Sequence, residues 1–108
     1  MPSRVELRLG GPSLLTLSSA AVVTVPASRT YIIKQIVVCN TDTIDRSFSL
    51  AIGSAATIGN RLFSTMPIGA NDTLVFDTAI VLAAGETLQG LADANGKITV
   101  TAMGWDRY

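Results

Sequence analysis

Residues Tyr31–Gly53 read YIIKQIVVCNTDTIDRSFSLAIG, two apolar runs around a polar stretch, and the way each run repeats decides the fold class. In RSFSLAIG, Phe48, Leu50 and Ile52 alternate with Ser47, Ser49 and Ala51. A period of two puts successive side chains on opposite faces of a strand. The first run, from Thr30 to Asn40, is rich in β-branched residues and interrupted by Lys34 and Gln35. It reads as a long strand and falls short of the roughly 20 apolar residues that a membrane-spanning helix needs. Regular alternation groups Cys39, the one cysteine, with Val37, Gln35 and Ile33, which predicts a small buried core thiol. Asn40, Asp42 and Asp45 suit a turn shaped by side chain to backbone hydrogen bonds.

The same signals continue outward. AAVVTV (20–25) stops at Pro26, which cannot donate to a ladder. Downstream, NRLFSTMPI, TLVFDTAIVL, ETLQGLA and KITVTAMGW are separated by turn formers, and Ile98, Val100 and Ala102 alternate with Thr99, Thr101 and Met103. Asn95-Gly96 is the strongest short hairpin signal, and Gly85 behind two alanines fits a tight turn. No window sustains an i, i+3, i+4 stripe with caps. The prediction is an all-β chain: an antiparallel β-sandwich of seven to eight strands, for which jelly-roll and immunoglobulin-like connections fit equally.

Residues 13–108 are expected to form the sandwich, and residues 1–12, MPSRVELRLGGP, stand apart. Val5, Leu7 and Leu9 share one face of an alternating segment, and Gly10-Gly11-Pro12 reads as a flexible break. This segment is either an edge strand of the same domain or an arm that adds a strand to a neighbouring subunit. Arg4 and Arg8 before LLTLSSAAVVTV have the outline of a secretory signal. Glu6 among the basic residues and Thr16, Ser18 and Ser19 within the apolar run favour two early strands instead.

At 108 residues, the chain is long enough for one domain with a single core. Eight basic and eight acidic side chains cancel, and only 15% of residues are charged, against roughly 25% for soluble domains. A neutral, weakly charged surface argues against capture of nucleic acid or an anionic membrane and favours self-association. Without histidine there is no Ser-His-Asp or Cys-His arrangement and no common zinc site. Asp42 and Asp45 lack the spacing, central Gly and terminal Glu of an EF-hand. The glycines are spread among turns, leaving no phosphate-cradling loop. These features point away from an enzyme and from any cofactor or metal. In the C-terminal GWDRY, Trp105 and Tyr108 could close the core, anchor a subunit contact or stack on a sugar ring.

VTVPASRTYIIKQIVVCNTDTIDRSFSLAIG and RLFSTMPIGANDTLVFDTAIVLAAGETLQGLADANGKITVTAMG, covering about residues 22–104, resemble small β-sandwich virion proteins of tailed bacteriophages. The match is a pattern of turns and apolar positions, including the NDT and AAGETL turns. The resemblance implies a capsid decoration (cement) protein on the virion exterior, binding the major capsid protein and stabilising capsomer contacts. It also implies a homo-oligomer, with a trimer favoured, made in the host cytoplasm. The alternatives are a tail or baseplate accessory, or a host-glycan-binding module, and more remotely an enzyme. Arg4, Val5, Leu7, Arg8, Leu9, Trp105 and Tyr108 are the residues expected at a capsid or subunit interface.

Overall fold

The computed structural model describes residues 4–53 and 61–107, with side chains from Leu7 onward in the first strand. Eight strands follow in order: β1 (Arg4–Leu14), β2 (Ala20–Thr24), β3 (Thr30–Asn40), β4 (Arg46–Ile52), β5 (Arg61–Ile68), β6 (Thr73–Leu82), β7 (Thr87–Ala92) and β8 (Ile98–Arg107). They form two four-stranded sheets, β1-β8-β3-β6 and β2-β7-β4-β5.

The pairing has a simple logic. The first strand pairs with the last, the second with the seventh, the third with the sixth and the fourth with the fifth, all antiparallel. That is one long ribbon folded back on itself. The ribbon is then rolled so that β8 also meets β3 and β7 also meets β4. The result is a jelly roll, which decides between the two connection schemes that the strand pattern left open.

Rolling sends every connection except β4 to β5 from one sheet to the other. Asn95-Gly96 therefore does not close a hairpin, as its composition predicts, because β7 and β8 lie in facing sheets. Instead Gly96 N–H donates to Leu15 O at 3.0 Å and Asn95 Oδ1 accepts from Leu17 N–H at 2.9 Å. The turn clamps the passage from β1 to β2.

The core lies between the sheets. Ile33, Ile36 and Val38 of β3 and Ile98, Val100 and Ala102 of β8 face Phe48 and Leu50 of β4, with Val23 and Leu88 beside them. Burying each of the larger side chains contributes about 1.5–3 kcal/mol. The buried row of β3 changes phase between Ile33 and Ile36. There β3 uses one residue more than β8, pairing Ile33 with Gly104 but Gln35 with Met103, so Lys34 is the extra residue of a bulge. Cys39 is consequently not the core thiol that regular alternation predicts. The bulge moves it to the outer side, half-buried between its register partners Thr73 and Thr99.

Gly10-Gly11-Pro12, expected as a flexible break, lies inside β1, whose ladder with β8 shifts register on both sides of Gly10. A Cβ on Gly10 would lie 2.3 Å from Val22 O, so glycine here lets β1 approach β2 and close that side of the sandwich. β1 runs across the expected 12/13 boundary as an edge strand of the main sheet. The opposite side is looser. There Phe63 of β5 and Phe76 of β6 span the gap with ring centroids 4.8 Å apart, and Phe48 touches both.

Candidate functional site

The outer side of the β1-β8-β3 ladder carries an open groove of about 530 Å³, lined by Leu7, Arg8, Lys34, Gln35, Met103, Gly104 and Trp105. Each lining position follows from local structure. β8 buries Ala102, Gly104 and Asp106, so Met103 and Trp105 point out, and Gly104 leaves a gap between them. The β3 bulge puts Lys34 and Gln35 together on the same side, and Arg8 pairs across from Met103. The Lys34 ammonium lies 5.6 Å from the Trp105 ring centroid, a cation–π contact that orients both side chains. Gln35 reaches the edge of the sheet, where its Nε2 lies 3.4 Å from Asp77 Oδ1. The groove thus has apolar walls from Met103 and Trp105, with the strand at Leu7 beside them, and a polar rim with the Arg8 and Lys34 cations.

Of the residues expected at an interface, Leu7, Arg8 and Trp105 meet in this groove. Leu9 does not, being half-buried and packed on the core. Arg4 and Val5 pair through their backbones with Arg107 and Asp106, while their side chains and the whole of Tyr108 lie outside the described residues. Trp105 does not close the core. It shares the outward parity of Thr99, Thr101 and Met103, a row legible in the alternation of β8. Lys34 and Gln35 escaped sequence reasoning because nothing in YIIKQIVV marks where the bulge falls.

The acidic turns at one end of the sandwich are occupied by the protein's own groups. Asn40 is fully buried: its Nδ2 donates to the carbonyls of Ile44, Ile68 and Gly69 at 3.0, 3.2 and 3.1 Å, and its Oδ1 accepts from Asp42 N–H at 2.9 Å. Asp42 accepts from Arg46 Nε at 2.8 Å and from Thr43 N–H at 2.7 Å. The Arg46 hydrogen bond, with Thr43 N–H behind it, holds the Asp42 carboxyl below its usual range. Asp45 accepts from Ala70 N–H at 3.1 Å. These residues tie the β3–β4 turn to the β5–β6 turn. At the other end, Arg29 pairs with the buried carboxylate of Asp106.

No family model matches this sequence, and no curated protein matches it. Solved structures of similar fold exist. A chain in the structure of the infectious bursal disease virus Gx strain matches with a TM-score of 0.53 and 11% identity, over 99% of this chain and 31% of that one. This protein therefore spans about a third of that chain's length. A protein of Bacillus endospore appendages, described as disulfide-linked pili, matches with a TM-score of 0.50 and 15% identity, over 100% of this chain and 86% of that one. The tobacco streak virus coat protein dimer gives 0.48 and 8%, over 96% and 82%. At such identities the likeness is one of fold.

Proposed function

We propose that this chain is a structural virion protein that acts by binding, and specifically a decoration protein on the outer surface of a capsid. The observation that carries the reading is the rolled eight-strand ribbon spanning the described chain, a fold similar, over 99% of this chain, to 31% of a chain of a virus structure. The neutral, sparsely charged surface and the phage virion resemblance of residues 22–104 support it. In this reading the groove is the capsid contact. Met103 and Trp105 are the apolar anchors, while Arg8 and Lys34 orient the subunit against carboxylates of the shell. Many weak contacts around a shell add as avidity, so no single contact needs to be strong.

The test is occupancy on purified particles, read by cryo-microscopy. Particles lacking the protein should regain regular surface density when wild-type protein is added, and W105A or R8E should lower occupancy. Absence of the protein from purified particles would sink the reading. Unchanged occupancy in both variants would remove the groove from it. Deleting residues 2–11 is not a clean test, because β1 is paired with β8 along its length. A second reading has its own support: Trp105 stands in an open groove beside Gln35 and Lys34, which suits a sugar ring. A tail or baseplate glycan-binding module would bind host cells and lose that binding with W105A.

A further inference from the structure

The two sheets present four edges, and three of them carry features that discourage pairing with another chain. β1 has Arg4 and Arg8 and a bulged Gly-Gly-Pro segment. β2 has five residues and a register shift. β5 contains Arg61 and Pro67, and Thr65 takes a left-handed φ of 51°. β6 differs. It is ten residues long, without Pro, Lys or Arg, Asp77 is its one charge, and its single register shift is confined to Thr78 and Ala79 opposite Lys34. Its outward Val75 and Val81 are 56% and 60% exposed, and its inward Leu74, Phe76 and Ile80 are only half-buried.

The sequence of β6 is also self-complementary. LVFDTAIVL (74–82) reads nearly the same in both directions about Thr78. We infer that β6 pairs antiparallel with β6 of a second copy about a two-fold axis at Thr78, joining two four-stranded sheets into one of eight strands. A two-fold axis pairs residues equidistant from the centre, and each contact then occurs twice. Val75 meets Val81 of the second copy in the outer row, while Leu74 meets Leu82 and Phe76 meets Ile80 in the inner row. Asp77 meets Ala79, so the one charge of the strand does not face its own copy. Like charges directly opposite each other would be destabilising. The one irregularity of the β3–β6 ladder falls at the centre, where Thr78 Oγ1 donates to Ile33 O at 2.7 Å. The two arms on either side of it are regular and do the pairing. A two-fold edge builds an even-numbered assembly, in place of the three-fold one that the phage resemblance implies.

The test is the mass of the wild-type protein by light scattering after size exclusion, with three sets of variants. Wild type is expected to be dimeric. V75K/V81K puts lysine opposite lysine twice and should raise the dissociation constant at least about a hundredfold. V75E/V81K puts glutamate opposite lysine twice and should restore a dimer that weakens with salt. A79K should tighten the dimer through Asp77 of the second copy, and A79D should loosen it. The three positions changed, Val75, Ala79 and Val81, are all exposed, and circular dichroism checks that each variant folds. A wild type that stays monomeric at its highest soluble concentration would overturn the inference. So would an assembly indifferent to V75K/V81K, or failure of V75E/V81K to restore what V75K/V81K breaks. None of these outcomes depends on whether the protein binds particles, so the inference and the virion reading can fail separately.

Discussion

Cys39 and Asn40 are adjacent, and their structural weights are the reverse of what residue type implies. Cys39 sits half-buried on the outer side of the sheet, so C39S is expected to cost less than about 1 kcal/mol in denaturant titration. Asn40 is fully buried, and its two amide hydrogens serve three carbonyls. N40A leaves those carbonyls and Asp42 N–H without their partner, and the same titration should show a loss of about 3 kcal/mol or more. Asp42 adds a pH dependence whose sign is fixed. Because Arg46 and Thr43 N–H favour its charged form, the folded chain holds this proton less readily than the unfolded chain. The contribution is full above about pH 4 and is lost as pH falls through the lowered folded value. D42N should therefore be less stable than wild type at neutral pH, with the two denaturation midpoints converging below about pH 4.

At the scale of the element, the bulge in β3 governs which faces are wet. K34A keeps the extra residue and should change stability little, since Lys34 is exposed. Deleting Lys34 removes the extra residue and restores strict alternation in register with β8, leaving Ile33, Ile36 and Val38 inward and Gln35, Val37 and Cys39 outward. The β-sheet dichroism signal should therefore survive the deletion, while the contact of Lys34 with Trp105 is lost and Trp105 emission changes. Gly104 belongs to the same device. A Cβ there would lie 1.9 Å from Ile32 O and 2.9 Å from Lys34 N, both backbone atoms that cannot swing away. G104A should cost about 3 kcal/mol or more by thermal unfolding, with the groove distorted as well.

For the whole molecule, the rolled ribbon means that only β4 and β5 are neighbours both in sequence and in a sheet. No smaller run of strands carries its own core, so unfolding should be a single transition that coincides by far-ultraviolet dichroism and Trp105 emission. Long-range pairing also makes loop closure costly before it is rewarded, and refolding should fall in the millisecond to second range by stopped flow. Two well-separated transitions would contradict this account. Function follows the same scale: the groove draws on β1, β8 and β3, which lie at the two ends and near the middle of the chain.

The sequence by itself determined the class of structure and most strand positions, because a side-chain period of two and turn residues are local properties. TYIIKQIVVCN and TLVFDTAIVL coincide with β3 and β6 residue for residue. The outward row of β8, with Met103 and Trp105 in step, was equally legible. Tertiary structure alone decided the rest. Which strand lies beside which depends on contacts between residues far apart in the chain, so Asn95-Gly96 bridges two sheets although its composition is that of a hairpin. The bulge at Lys34 exists only against β8, which has one residue fewer between the paired positions, a mismatch that no single strand contains, and it is what turned Cys39 outward and brought Lys34 to Trp105.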